Sequence, residues 1–191
     1  MLILVLGLAV FLGVHLVPVV NGLKAGLVGR LGEGPYKVLF SVVAAVGLVL
    51  VVWGYAVARE AGSVVLYDPP TWLRHVTMLL MIPVFPLVVA AYLPGRIAAA
   101  VRHPMITAVK VWAFAHLLAN GDAASVLLFA GFLAWGVLAR ISMKRREAAG
   151  LSRVRTAGPV LNDVIAVVVG LAIYGAFVWR LHLLIIGVPV M

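Results

Sequence analysis

The sequence predicts an all-α fold, a polytopic transmembrane helix bundle of about six spans. Three observations carry that prediction. Of 191 residues, 65% are hydrophobic and only 11% are charged, with a mean hydropathy of +1.19, whereas soluble domains run near half apolar and a quarter charged. The apolar residues fall into runs long enough to cross a hydrocarbon core of roughly 30 Å. The charges lie between those runs, so the net charge of +9 reads as a topology signal and not as a nucleic-acid footprint. Cysteine is absent, which excludes disulfides, iron–sulfur clusters, thiolate-ligated or covalently attached haem, and Cys-type zinc sites.

The first run, Leu2 to Val20, has no positive segment before it and no small-residue cleavage site after it, so a removable signal peptide is not expected. The second, Val38 to Val57, lies between Pro35 and Arg59. The third, Trp72 to Leu93, contains Pro83 and Pro86 and is predicted to kink there. Asp68-Pro69-Pro70 ahead of it predicts a rigid turn, with Thr71 as the helix cap and Trp72 at the interface. The fourth is short, Pro104 to about Leu118, with proline at its first position and Asn120-Gly121 past its end. Asp122 is predicted to cap the fifth, Ala123 to about Leu138, so that four and five form a tight hairpin. The sixth begins near Val164 and is apolar until Arg180. Leu181 to Met191 either continues that span or lies along the interface, so five spans plus a surface segment is the alternative count. The spans near 2–20, 38–57, 72–93, 104–118 and 123–138 make one transmembrane domain over 1–146, and 147–191 supplies a loop and the terminal helix.

Orientation follows from the basic residues. Lys24, Arg30, Lys37, Arg96, Arg102, Arg140, Lys144, Arg145, Arg146, Arg153 and Arg155 fall on one predicted side, 11 of the 15 lysines and arginines. Arg59 and Arg74 flank the one long loop opposite. The positive-inside rule makes the basic side cytoplasmic and leaves both termini outside. Lys144-Arg145-Arg146 reads as a topology anchor, with anionic lipid as its alternative partner.

Ionisable residues inside a membrane are the best functional pointers. All six acids, Glu33, Glu60, Asp68, Asp122, Glu147 and Asp163, lie outside the apolar runs, so paired-carboxylate catalysis and di-metal carboxylate sites in the bilayer are unsupported. No Gly-rich phosphate loop, Ser nucleophile elbow or His-Glu-x-x-His motif occurs. Histidine remains: His15, His75, His103, His116 and His182. Helical rise places His15 about 7 Å from the cytoplasmic end of the first helix and His116 about 18 Å into the fourth. His75 sits at the outer end of the third helix and His103 at the cytoplasmic start of the fourth. Neutral imidazole ligates b-type haem where no thiolate exists, and the set does not by itself choose a pair. By depth, His15 with His103, or His75 with His116, match best. Lys110 lies about 9 Å inside the fourth helix. It either snorkels toward the headgroups or binds an anionic ligand group such as a haem propionate. Trp112 and His116, one turn apart, share a face, and Lys110 points roughly 120° away.

Several blocks resemble the NnrU family of bacterial membrane proteins. They are Arg30-Leu31-Gly32-Glu33-Gly34-Pro35, Asp68-Pro69-Pro70 with Trp72-Leu73-Arg74-His75, and Tyr92-Leu93-Pro94-Gly95-Arg96. The strongest runs from His103-Pro104-Met105 through Val109-Lys110-Val111-Trp112-Ala113 to His116-Leu117-Leu118-Ala119-Asn120-Gly121. The resemblance covers roughly Met1 to Arg146, and the last 45 residues look family-neutral. The resemblance implies a bacterial inner-membrane protein associated with nitrite and nitric oxide metabolism. Its plant relative, a 15-cis-zeta-carotene isomerase, uses histidine-ligated b-type haem, whose ligands correspond by motif to His15 and His116. A b-haem protein, redox-active or isomerase-like, is therefore expected, with His103, Lys110 and His75 as further candidate cofactor contacts. The expected partners are the lipid bilayer and a hydrophobic small molecule, not nucleic acid.

Two other readings stand beside it. Arg102-His103-Pro104 also resembles the Arg-His-Pro element of isoprenylcysteine-type methyltransferases and membrane sterol reductases, which implies a nucleotide-like cofactor on the cytoplasmic side. Alternatively the chain is a non-catalytic assembly factor whose small residues Ala44, Gly47, Gly131 and Gly136 serve close helix contact.

Overall fold

The computed structural model describes residues 1–20, 22–151 and 156–190. Arg153 and Arg155 of the basic side, and the final Met191, lie outside the described residues. The chain forms α1 (Leu2–Leu16), α2 (Leu23–Leu31), α3 (Glu33–Glu60), α4 (Trp72–Met81), α5 (Val84–Tyr92), α6 (Arg96–Val101), α7 (Pro104–Ala119), α8 (Ala123–Ala148), α9 (Val160–Ala176), a π-helical turn (Phe177–Leu181) and α10 (His182–Ile186). Among the described residues there is no strand, only one isolated bridge between Val65 and Asp122. The all-α expectation holds.

Among the described residues, four helical stretches are long and apolar enough to cross a bilayer: Glu33–Glu60, Trp72–Tyr92, Ala123–Ala148 and Val160–Ile186. Leu2–Leu16 and Pro104–Ala119 are apolar but shorter. These six segments correspond to the six predicted runs, with boundaries moved by local chemistry. The first run ends at Leu16 because Pro18 has no N–H to continue the ladder. The fifth continues through Arg140, Lys144, Arg145 and Arg146 because lysine and arginine are good helix formers, whatever their hydropathy. The third is broken at Pro83, as expected. Thr71 stands at the cap position of α4, but its side chain accepts no hydrogen bond. Backbone turn bonds from Leu73 N to the Pro70 carbonyl and from Arg74 N to the Thr71 carbonyl close that corner instead. Leu181 onward continues the sixth segment as helix to Ile186.

Helices α1 and α3 pack antiparallel at near backbone contact. A Cβ on Gly47 would lie 2.7 Å from the Phe11 nitrogen, so only glycine permits this approach, as expected of helix pairing where small residues replace the hydrophobic drive. The core contains Leu4, Leu8, Val51, Ala113, Ala124, Leu128 and Phe129, drawn from α1, α3, α7 and α8. A second cluster, Val84, Leu87 and Ala108, joins α5 to α7, and Trp112 packs against both. Ser125, a polar residue with 0% exposure, meets the Tyr55 hydroxyl at 2.9 Å. Outward faces stay apolar and exposed, as at Val38, Val49 and Trp179. That inversion suits a hydrocarbon surround.

Both ends of the bundle are tied by side chains. At the end holding loop 61–71, Asp122 caps α8 by accepting from Ser125 N at 3.0 Å, as predicted. At the basic end, Asp163 of α9 accepts from Arg96 N and Ile97 N, each at 2.9 Å, and so caps α6 from another segment. Asn162 Nδ2 donates to the Pro94 carbonyl at 2.8 Å beside it.

Candidate functional site

Phe129, Phe132 and Trp135 are spaced by three along α8, which puts them on one face. Around them α1, α7 and α8 assemble a column of rings. His116 lies 4.8 Å from Phe129 and 5.5 Å from Trp112, centroid to centroid. Trp112 meets Phe132 at 5.4 Å, and Phe132 meets Phe11 at 5.6 Å. Phe11 stacks 4.3 Å from His15, which also stands edge-on to Trp135 at 5.7 Å and Phe40 at 5.2 Å. His15 and His116, the two histidines the family resemblance points to, therefore lie on one continuous aromatic column.

Each of these imidazoles is oriented by its own helix. His15 Nδ1 donates to the Phe11 carbonyl at 2.7 Å and His116 Nδ1 to the Trp112 carbonyl at 2.9 Å. A carbonyl only accepts, so the proton sits on Nδ1 and the lone pair on Nε2. That is the tautomer, fixed in the manner, by which protein histidines bind metals. The end of α7 is locked around His116. Asn120 N and Nδ2 both donate to the His116 carbonyl, at 3.0 and 2.8 Å. The Tyr67 hydroxyl donates to the carbonyls of Leu117 and Asn120. Partial burial, and then the charge of Asp122, push the Tyr67 phenol above its ordinary pKa.

The donor chemistry fits haem iron, since two neutral imidazoles present Nε2. The spacing does not fit one iron shared by His15 and His116. Their neighbours on α8, Trp135 and Phe129, are six residues apart, about 9 Å along the axis. Phe132 occupies the space between, in ring contact with Phe11 and Trp112. A porphyrin between the two imidazoles would have to displace it.

The remaining candidates are elsewhere. His103 begins α7 at the basic end, where Nε2 lies 2.5 Å from Glu147 Oε1. Glu147, with its side chain only 7% exposed, also meets Arg102 at 3.2 Å and Arg140 at 3.9 Å. Arg102 has φ 64°, and His103 N bonds back to the Val101 carbonyl at 2.8 Å. This is a γ-turn of the rare, strained hand, and it aims two successive side chains at one carboxylate. Trp135 and Glu147 stand twelve residues apart on α8, about 18 Å, so His15 and His103 are not brought together. Lys110 lays its stem on Gly136, where a Cβ would come within 2.7 Å of Lys110 Cγ, and it makes no ion pair among the described residues. His75 is exposed at the start of α4. His182 donates from Nδ1 to the Val188 carbonyl at 2.7 Å. Sequence reasoning missed Phe11, Phe132, Trp135 and Glu147. The three-residue spacing on α8 was the available signal for the rings, and a lone acid within a basic run was the signal for Glu147.

Six apolar helical segments with most of their charge toward their ends, four of them contributing to a histidine–aromatic column, define a multi-pass membrane protein. The NnrU family model ("NnrU protein") matches residues 3–190, and the chain belongs to the NnrU family. The match runs past Arg146, against the expectation that the last 45 residues are family-neutral, and takes in α9, whose Asn162 and Asp163 hold the Pro94-Gly95-Arg96 block in place. Comparison with curated proteins gives no match, and comparison with solved structures gives none.

Proposed function

We propose that this NnrU-family protein is a b-type haem protein of the bacterial cytoplasmic membrane, its basic end inside and both termini outside, serving nitrite and nitric oxide metabolism. The observation that carries the haem reading is the tautomer imposed on His116, whose Nδ1–H is committed to Trp112 so that Nε2 is left to ligate. Because Phe132 stands between His15 and His116, His116 is the single protein ligand. Haem bound there supplies one-electron chemistry or a site for a small diatomic gas. The chain's own part is to keep the imidazole neutral and aimed, through Trp112, Phe129 and the locked end of α7. Family kinship supports the nitrogen-oxide setting. The kinship with the plant isomerase supports cis–trans isomerisation of a polyene as the second chemistry for the same ligand. The nucleotide-cofactor alternative needs Arg102 and His103 free, and Glu147 engages both.

The test is an absorption spectrum of protein expressed with haem supplementation and purified in mild detergent. A Soret band is expected in the unmodified chain and in His15→Ala, and its loss is expected in His116→Ala. A haem-replete preparation without the band refutes haem binding. Equal loss in His15→Ala refutes the single-ligand arrangement.

A further inference from the structure

At the basic end the chain leaves α1 through Pro18 and turns at Gly22 into α2. A groove of about 660 Å³ opens there between this turn, the start of α3 and the end of α8. Val20 and Val28 give it apolar walls, and Lys24, Arg145 and Arg146 face it together with one acid, Glu33. Glu33 is already paired with Lys37 at 2.8 Å. Arg146 is held at the groove by donating from Nη2 to the Pro18 carbonyl, which leaves its other N–H groups available. The Arg145 side chain makes no hydrogen bond or ion pair among the described residues. The groove thus combines surplus positive charge with an apolar lining.

Helix α2 supplies a second, independent observation. None of its nine residues is buried, and it presents leucines and basic residues together, with Leu23 and Leu31 each 43% exposed. A short exposed helix of that composition lies along the lipid–water boundary, which sets the groove at headgroup depth. Leu151, 78% exposed, adds a further apolar side chain to the groove lining.

We propose that this groove binds an anionic phospholipid, its phosphodiester held by Lys24, Arg145 and Arg146 and its acyl chains leaving along the apolar lining of Val20, Val28 and Leu151. Free phosphate shares the headgroup chemistry but leaves the apolar walls without a role. Lys144-Arg145-Arg146 is then more than a topology anchor, because one of its residues is fixed by Pro18 into a shaped site.

The test uses the full chain in neutral detergent micelles, with native mass spectrometry to count bound lipid. Dioleoylphosphatidylglycerol is expected to be retained in preference to dioleoylphosphatidylcholine. Lys24→Ala with Arg145→Ala should lower phosphatidylglycerol retention about thirtyfold, the loss of two basic contacts to an anionic lipid surface, and leave phosphatidylcholine unchanged. Lys24→Arg with Arg145→Lys keeps the charge and should keep the preference, which separates the site from a folding defect. Equal retention of the two lipids, or an unchanged preference in the double alanine variant, overturns the proposal. Displacement of phosphatidylglycerol by an equal concentration of inorganic phosphate reassigns the groove to free phosphate and overturns it as well.

Discussion

The pair formed by Tyr55 on α3 and Ser125 on α8 allows a quantitative test of the packing. Ser125 is fully buried and its Oγ lies 2.9 Å from the Tyr55 hydroxyl. Leaving one such group unmade inside a protein costs about 1–3 kcal/mol. Interhelical polar pairs measured in a membrane bundle average about 0.6 and reach about 1.7 kcal/mol. Full burial of Ser125 puts this pair near the upper figure. Tyr55→Phe strands the Ser125 hydroxyl and is expected to cost about 1.5 kcal/mol. Ser125→Ala leaves the half-buried Tyr55 hydroxyl and costs about 1 kcal/mol. The double variant removes both polar groups and should be no worse than either single change, a coupling of about 1.5 kcal/mol. At about 2–4 °C per kcal/mol for a chain of this length, the non-additivity is about 3–6 °C. Thermal unfolding of all four proteins in one detergent, followed by size-exclusion fluorescence, reads it directly. Additive losses, within about 0.5 kcal/mol, would refute the claim that the hydroxyls act on each other.

Two further outcomes are expected. Gly47→Val drives side-chain atoms into the Phe11 backbone and should destabilise the bundle by about 1–3 kcal/mol, the range for overpacking; the same thermal assay checks it, and Gly13→Ala, which meets nothing within 4 Å, is the control. Tyr67 holds the end of α7 as a neutral phenol whose pKa is raised, so its contribution is complete below about pH 10 and is lost as pH climbs through the raised value. Melting temperatures across pH 8–11 should fall more steeply at the alkaline end for the native chain than for Tyr67→Phe.

Much of this architecture is local chemistry and can be read from the sequence. Pro104 opens α7, Asp122 caps α8, and Pro83 breaks the third segment at the places where proline and aspartate act on their own neighbours. The basic residues mark one end because a charge in hydrocarbon is costly wherever it sits in the chain. The boundaries that moved did so where two signals competed. Pro18 lies inside an apolar run, and hydropathy weighed against it although only the missing N–H matters to the helix. Helix α2 was hidden because a surface helix carries no spanning signature. The histidine column needs three helices at once, so Trp112 and His116 were legible as neighbours while Phe11 and Phe132 between the two histidines were not. The meeting of His103 with Glu147 spans 44 positions of sequence, and a Glu near arginines has many local partners to choose from.

The early end of α1 carries a consequence for how the protein is made. Its fifteen residues rise about 22 Å, short of the hydrocarbon thickness, and from His15 onward its end carries carbonyls left over by the helix. Those carbonyls are taken by α8: Trp135 donates to His15, Ser142 to Val19 at 2.7 Å, and Arg146 to Pro18. On the ribosome, α8 arrives some 120 residues later. α1 thus emerges well before α8 and is completed only when α8 packs against it and takes up these carbonyls.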